Sequence, residues 1–256
     1  MRVLIGCETS GVFRRAFAAL GHDVWSCDIL PAEDRSNRHI TGVLRDHLAD
    51  GWDLLAVLHP PCTRLCNSGV RWLIDPPRNP PADAAPGERA AWPGLSRDAR
   101  LAIMWRLLAM GCDFFAACWA APVPRVAVEN PVMHRHARAR IPGLIRPHTV
   151  QPWWFGDPAF KATGWYLRGL PPLVATDRLT PPKAGAADHK AWSAVHRASP
   201  GTDRARLRSR SFPGMAAAAA RQWGDAACVA AETPTAAPAP CRGVVGVSRL
   251  VAPAPP

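Results

Sequence analysis

The sequence lacks several features that would place it in common protein classes. It has no Cys-x-x-Cys pair. Cys62 and Cys66 are four residues apart, but no second pair at metal-ligand spacing accompanies them, so we expect no metal site. Its eight cysteines are scattered through mostly apolar stretches, which is typical of free thiols in a reducing compartment. No apolar run approaches the ~20 residues that span a bilayer, and the first residues predict a strand rather than a cleavable leader. We therefore expect a cytoplasmic protein that contacts no membrane.

Positive charge is in excess. The 256 residues include 31 Lys and Arg against 20 Asp and Glu, which gives a net charge of +11. This excess suits a polyanionic partner, and nucleic acid is the first candidate. The alternative is a basic surface without a binding role. The hydrophobic content of 48% is sufficient for one sizeable domain with its own core.

Apolar runs alternate with helical patterns along most of the chain. The runs that predict strands are residues 2–6, 22–28, 52–58 and 125–130. The patterns that predict helices are residues 12–20, 96–119 and 215–223. We expect the second helix to break at Gly111, and residues 151–167 predict a hairpin-like segment. This order predicts an α/β fold with a mostly parallel sheet.

Three segments have little apolar content or little charge. Residues 70–95 are rich in Pro, Asp and Arg, and we interpret them as a long mobile lid without its own core. Residues 168–207 are basic and also show no obvious core. Residues 229–256 predict a disordered Ala/Pro-rich tail. Residues 1–167, which include the lid, and residues 208–228 are predicted to form the main domain.

Cys62 lies in the most informative stretch of the sequence. It follows a predicted buried strand and two prolines, Pro60 and Pro61, which end the strand because neither can donate to a sheet ladder. Cys62 is therefore expected at the carboxyl end of a strand, where open α/β sheets place their chemistry. It is a candidate nucleophile, and the alternative is a buried thiol without chemistry.

Two acids also end predicted strands. Asp28 lies 17 residues beyond Gly11, the glycine of a strand-turn-helix segment, and this spacing suits an acid that binds ribose hydroxyls. Glu129 ends a later strand. The alternatives are a loop-capping Asp28 and a surface Glu129 that caps its strand. Because parallel strands share one carboxyl edge, these acids and Cys62 are expected to lie near one another.

The order of these motifs resembles that of the DNA (cytosine-5) methyltransferases, most closely their short phage and prophage members. Pro60 to Cys62, followed by Ser68 and Gly69, resemble the family's Pro-Cys motif, whose cysteine is the nucleophile. Residues 129–131 resemble its Glu-Asn-Val motif. Residues 155–158 resemble the start of its Gly-x-Pro-Gln-x-Arg-x-Arg strand, in which Lys161 replaces the first Arg.

The resemblance implies a Rossmann-like S-adenosylmethionine-dependent methyltransferase fold and transfer of a methyl group to C5 of cytosine in DNA. Cys62 would attack C6 of a flipped base, with Glu129 as the acid and Lys161 as a further catalytic residue. The implied residues for S-adenosylmethionine are Glu8, Thr9, Ser10, Gly11, Asp28, Ile29, Pro60 and Gly214. The expected DNA contacts are Arg64, Ser68, Arg168, Arg208 and Arg210. A monomer in a bacterial or phage-infected cell is expected.

The sequence also departs from the family pattern. Its cofactor turn has one glycine, Gly11, where the family has three. Residues 168–207 form a target-recognition region much shorter than usual, and their cations favour phosphate contacts over base reading. Two alternatives therefore stay open. One is a related enzyme that transfers another one-carbon or carboxymethyl group to a pyrimidine, and the other is a catalytically inactive DNA-binding relative.

Overall fold

A seven-stranded sheet organises the part of the chain that the structure, a computed structural model, describes: residues 1–60, 62–197, 208–209 and 211–225. The strands are β1 (Arg2–Gly6), β2 (Asp23–Asp28), β3 (His39–Thr41), β4 (Leu54–Val57), β5 (Arg125–Asn130), β6 (His148–Val150) and β7 (Thr163–Arg168). The helices are α1 (Val12–Ala18), α2 (Asn67–Val70), α3 (Pro86–Ala91), α4 (Arg97–Trp119), α5 (Arg135–Arg138), α6 (His189–Trp192), α7 (Ala194–Arg197) and α8 (Pro213–Gly224). Turns of 3₁₀ helix occur at Leu44–His47, Cys62–Arg64, Arg71–Leu73, Trp92–Gly94 and Pro152–Trp154.

The strand order is β3-β2-β1-β4-β5-β7-β6, and β7 runs in the opposite direction to the other six strands. The predicted α/β fold with a mostly parallel sheet is therefore confirmed, and its topology is compatible with a Rossmann-like fold. The order reverses between β1 and β4, because β2 follows β1 on one side and β4 lies on the other. Such a switch point opens a crevice at the carboxyl ends of the strands.

Helices cover both faces of the sheet. Leu4 of β1 packs in the same cluster as Leu108 and Phe115 of α4. Ile5, its neighbour in β1, instead packs with Phe17 of α1. Because alternate residues of a strand point to opposite faces, a strand that is buried on both sides must be apolar throughout. This requirement explains the unbroken apolar runs from which the central strands were predicted.

Helix α4 does not break at Gly111, so that prediction is wrong. The helix begins after Ser96, whose side chain accepts a hydrogen bond from the Ala99 N–H at 3.2 Å, and continues to Trp119. A Cβ atom at Gly111 would lie 3.4 Å from Leu65 Cδ2, an ordinary contact distance, so packing does not require a glycine here. Burial of the helix against the sheet outweighs the helix propensity that glycine loses.

Helix α4 also corrects the expectation that no apolar segment approaches the length of a membrane span. Among the described residues, it is the one helix with the length and apolar composition to cross a bilayer. Its Met104, Leu108 and Phe115 are buried against the sheet. A core helix that packs in this way passes the same test of length and composition.

The two segments that were predicted to lack a core of their own contribute side chains to the core of the sheet. Between residues 70 and 95, Leu73 and Trp92 are buried in the α4 cluster. Beyond β7, Leu173 is buried in the α1 cluster, and the Phe160 N–H donates to the Trp192 carbonyl at 2.8 Å. Large apolar side chains therefore anchor both segments to the core of the sheet. The lid motion remains a prediction. The predicted tail and residues 198–207 of the basic region lie outside the described residues.

The hairpin-like segment predicted for residues 151–167 is present only in part. Strand β7 ends that range, but its antiparallel partner β6 precedes it, with Thr149 opposite Gly164. Because β7 runs against β5, its amino end rather than its carboxyl end lies at the carboxyl edge of the parallel strands. This reversal brings the segment just before β7 to the crevice.

Candidate active site

The carboxyl edge of the sheet gathers most of the residues that were predicted to carry chemistry. Glu8 follows β1 and Asp28 ends β2. Cys62 follows β4, while Glu129 lies in the last two residues of β5. Lys161 lies just before β7. The sheet topology therefore supplies the acids, the thiol and a cation to one side of the molecule.

The turn that contains Cys62 is attached to the chain that follows β5. The Cys62 carbonyl accepts hydrogen bonds from the N–H groups of Leu65 at 2.9 Å and Cys66 at 3.0 Å, which closes a tight turn. The next residue, Asn67, donates its N–H to the Val132 carbonyl at 3.0 Å. This connection fixes the thiol turn against the segment that begins directly after Glu129.

Gly69 allows this turn to be compact. A Cβ atom at position 69 would lie 2.2 Å from the Thr63 carbonyl oxygen, far inside contact distance. The Gly69 N–H also donates to the Cys66 carbonyl at 2.9 Å. In the Ser-Gly pair that follows the Pro-Cys sequence, the glycine is therefore required by packing.

Replacing Gly69 with alanine is expected to destabilise the fold by about 1–3 kcal/mol, because the added methyl group must displace the Cys62 turn. The free energy of unfolding in urea measures this effect. Gly87→Ala is the matched control, since a Cβ atom at Gly87 meets nothing within 4 Å. Equal stability of the two variants would contradict this assignment for Gly69.

Glu129 is a buried acid with an unusual environment. Its residue is only 3% exposed, and Oε1 has no hydrogen-bond partner among the described residues. Burial raises the pKa of the carboxyl to about 7, although the charge of Lys161 opposes this change and that of Cys66 adds to it. Glu129 can therefore hold a proton at neutral pH, as a general acid requires.

Lys161 is the cation that acts on this cluster. Its charge lowers the pKa of both Glu129 and the Cys62 thiol, against the other influences on each group. Its Nζ lies 5.8 Å from the centre of the Phe212 ring. The structure therefore brings the predicted residue Lys161 together with Cys62 and Glu129. It reaches them from the segment before the reversed strand, which the sequence pattern alone did not reveal.

Cys66 is a neighbour of Cys62 that sequence reasoning left without a role. It accepts a hydrogen bond from the Cys62 thiol, and its Sγ lies 3.0 Å from Ser68 Oγ. The contact with Cys62, aided by Ser68, lowers the pKa of Cys66. The same contact, with burial and the charge of Glu129, raises the pKa of Cys62. The two thiols therefore share a proton, and Cys66 is placed to accept it when Cys62 reacts.

Arg64, one of the expected DNA contacts, is engaged in an ion pair. Its Nε donates to Asp83 Oδ2 at 2.9 Å, and a second nitrogen of the same guanidinium pairs with the other carboxylate oxygen. The side chain is mostly buried in this ion pair. Arg64 therefore connects the Cys62 turn to the segment of residues 70–95, and its predicted contact with DNA requires this pair to open.

The polar side chains of the predicted cofactor turn make hydrogen bonds to other protein groups. Glu8 is buried and accepts hydrogen bonds from the N–H groups of Phe13 at 2.8 Å and Arg14 at 3.2 Å. Glu8 therefore caps α1. Ser10 donates to the Glu8 carboxylate, and Thr9 donates to Glu33 Oε1 at 3.0 Å. A ligand at this turn would meet backbone groups and hydroxyl oxygens whose protons are already engaged.

The end of β2 has groups suited to a nucleoside. Asp28 Oδ1 accepts the Leu30 N–H at 2.9 Å, and Oδ2 makes no hydrogen bond within the described residues. Ile29 is 72% exposed, which leaves a large apolar side chain directly beside the acid. Gly11 has φ +66°, the left-handed conformation that favours glycine. Asp28 and Ile29 could therefore hold the ribose and base of a nucleotide-like cofactor.

A narrow cavity lies between β4, β5 and the segment before α8, with room for little more than a water molecule. Glu129, Lys161 and His59 are among its polar lining, and Phe13 and Phe212 are among its apolar lining. The mixture of polar groups and aromatic rings suits a polar, planar ligand, which would enter only if the cavity widens.

The remaining predicted cofactor residues have structural environments. Pro60 is buried directly before the Cys62 turn. The Gly214 N–H donates to Asp157 Oδ2 at 3.0 Å, and a Cβ atom at this position would overlap the Phe155 carbonyl oxygen. Gly214 therefore lets α8 approach the Phe-Gly-x-Pro segment.

The predicted DNA contacts do not form one group. Arg168 ends β7 at the opposite edge of the sheet, where its guanidinium donates to the Ala121 carbonyl at 2.7 Å. This position removes Arg168 from the site, because β7 is reversed. Ser68 is exposed beside Cys66, and Arg208 is also exposed. Arg210 lies outside the described residues, as does Pro61 of the Pro-Cys motif.

Two further residues were missed by sequence reasoning. His59, which directly precedes the two prolines, lies 3.9 Å from Glu129 through its Nδ1 atom. Ser211 lies 3.2 Å from Nε2 of the same ring. The position of His59 in the sequence was a usable signal, since it adjoins the predicted nucleophile. Ser211 gave no such signal, because 152 positions separate it from His59.

No group of three or more His, Cys, Asp or Glu side chains is placed to hold a metal ion within the described ranges.

Comparison with protein-family models gave no match, and no curated protein is similar to this chain.

Proposed function

We propose that the chain is a DNA cytosine-C5 methyltransferase that uses S-adenosylmethionine and a covalent adduct between Cys62 and C6 of the base. The observation that carries the proposal is the meeting of Cys62 with the buried Glu129 carboxyl and the Lys161 ammonium. A thiol alone is often structural. A thiol beside an acid that keeps its proton at neutral pH is what attack on a pyrimidine requires.

The chemistry assigns a different task to each of these groups. C5 of cytosine is a poor nucleophile until a thiolate adds to C6, which breaks the aromatic system and places electron density on C5 and N3. Cys62 forms the bond to C6 after its proton passes to Cys66. Glu129 donates its proton to N3 as negative charge develops there. C5 then accepts the methyl group, and a base removes the C5 proton. Departure of Cys62 as the thiolate, with return of the N3 proton to Glu129, restores the ring.

S-adenosylmethionine fits the residues at the ends of β1 and β2. Asp28 would bind the ribose hydroxyls, Ile29 would cover the adenine, and backbone groups near Gly11 would approach the rest of the molecule. When bound, the cofactor supplies a methyl group on a positively charged sulfur. Glu8 supports this site indirectly, because it holds the turn before α1 in place.

DNA is the proposed substrate because the net charge of +11 favours a polyanion. A base inside a duplex is out of reach of Cys62, so it must rotate out of the stack. Contacts to phosphates would supply most of the affinity, which would therefore fall steeply with salt concentration.

Nucleoside analysis tests this proposal. The protein is incubated with DNA and methyl-labelled S-adenosylmethionine, and the DNA is digested to nucleosides that are separated and identified. We expect the label in 5-methylcytosine. Label in another modified pyrimidine would indicate a different transfer, and DNA binding without transfer on several DNAs of different sequence would contradict an enzymatic role.

A further inference from the structure

The imidazole of His59 lies between two side chains from distant parts of the chain. Its Nδ1 is 3.9 Å from Glu129 Oε2, and its Nε2 is 3.2 Å from Ser211 Oγ. All three residues line the same cavity. The ring is therefore anchored on one side by a hydroxyl group and faces the candidate acid on the other.

The charged surroundings keep this ring neutral. Burial and the charge of Lys161 hold the pKa of His59 well below its usual range. The charged or titratable groups that act on Glu129 itself are Lys161 and Cys66, besides His59 at 3.9 Å. A neutral imidazole has one N–H and one acceptor nitrogen. The hydrogen bond at Nε2 therefore decides whether Nδ1, which faces Glu129, carries the proton.

We infer that His59 is a positioning residue for Glu129, with Ser211 donating to Nε2 so that Nδ1–H donates to Glu129 Oε2. The carboxyl proton is then left on Oε1. The 3.9 Å separation is about 1 Å longer than a hydrogen bond, and such contacts often tighten when substrate binds. This inference rests on the proposed function, in which the proton must reach N3 of the base.

The two oxygens of Glu129 support this division of roles. Oε2 is the oxygen recorded nearest His59, whereas Oε1 is buried and has no partner among the described residues. A carboxyl proton can occupy either oxygen, and a proton on Oε2 would point to the imidazole instead of the substrate. An N–H at Nδ1 excludes a proton on Oε2, because the two protons would then face each other between Nδ1 and Oε2.

Two substitutions of His59 separate its two contacts. His59→Asn keeps an amide near the Nδ1 position, towards Glu129, and His59→Gln keeps an amide near the Nε2 position, towards Ser211. We expect His59→Gln to lower the transfer rate by about 10–100-fold and His59→Asn to keep at least about tenfold more activity than His59→Gln. Equal rates, or a more active His59→Gln, would overturn the inference.

The pH profile distinguishes positioning from a merely structural role. A hydrogen bond to the ionised form of an acid lowers its pKa, so its loss in His59→Gln should move the alkaline limb to higher pH by about half a unit to one unit. His59→Asn should keep the wild-type limb. Ser211→Ala, which leaves His59 intact but frees Nε2, should reduce the rate by about 3–10-fold. An unmoved limb in His59→Gln would contradict the contact.

A titration without activity separates this inference from the proposed function. The protein is labelled with ¹³C at the glutamate carboxyl carbons, and the Glu129 resonance is identified by its loss in Glu129→Gln. Its midpoint should rise in His59→Gln and not in His59→Asn. If the wild-type protein leaves DNA unmodified, the proposed function fails, and this titration still decides whether His59 contacts Glu129. Identical midpoints in the two variants would overturn that contact.

Discussion

Cys62→Ser is expected to reduce methyl transfer by at least about 10⁴-fold, because a serine hydroxyl remains protonated and is a much weaker nucleophile towards C6. The substitution removes the reacting atom and changes little else, since serine and cysteine have the same shape. Binding of DNA and of S-adenosylmethionine should be retained. Single-turnover transfer of labelled methyl groups, followed by nucleoside analysis, measures the loss.

Cys112→Ala is the matched control for this loss. Cys112 is a buried thiol on α4 whose Sγ faces the Ala137 carbonyl at 3.8 Å. Its removal should leave the transfer rate within a few fold of wild type at temperatures below melting, although packing will be weakened. Retention of wild-type activity in Cys62→Ser would show that Cys62 is not the nucleophile.

Glu129→Gln is expected to reduce transfer by about 10²–10³-fold, because glutamine keeps the shape of the side chain but cannot give a proton to N3. Wild-type activity should also depend on pH. The acid form of Glu129 is present below a pKa of about 7, so the rate should fall as the pH rises through that value. The falling limb should be absent from the residual activity of Glu129→Gln.

The same substitution should stabilise the protein at alkaline pH. The folded pKa of Glu129 is raised from 4.5 to about 7, so the folded state holds a proton that the unfolded state releases above its own lower pKa. Stability is therefore lost as the pH rises between these values, by about 3 kcal/mol in total. Glutamine does not ionise, so Glu129→Gln should melt at higher temperature than wild type at pH 8. A lower melting temperature would contradict the buried-acid assignment.

Apolar runs and the residues that follow them predicted the parallel part of the fold well. The run before Pro60 identified β4 and put Cys62 beyond its end, and the run before Glu129 identified β5 in the same way. These predictions held because a strand that is buried on both faces must be apolar throughout. The edge at which Cys62, Asp28 and Glu129 lie follows directly from parallel pairing.

Contacts between distant segments were not accessible from the sequence. The reversed direction of β7 brings Lys161 to the site and takes Arg168 to the far edge, and no local pattern reports strand direction. Gly111 suggested a break in α4, yet packing against the sheet keeps the helix continuous. Cys66 acquired a role only when the turn placed its thiol against Cys62, because spacing along the chain does not define side-chain contacts.

A covalent trap tests most directly whether Cys62 attacks the base. DNA that carries 5-fluorocytosine is incubated with the protein and S-adenosylmethionine. Fluorine cannot leave C5 as a cation, so the adduct cannot resolve after methyl transfer. We predict a complex that survives denaturation, with the DNA mapped by peptide mass to Cys62 and absent in Cys62→Ser. A protein that methylates ordinary cytosine in DNA but forms no adduct, or forms one at another residue, would contradict covalent catalysis by Cys62.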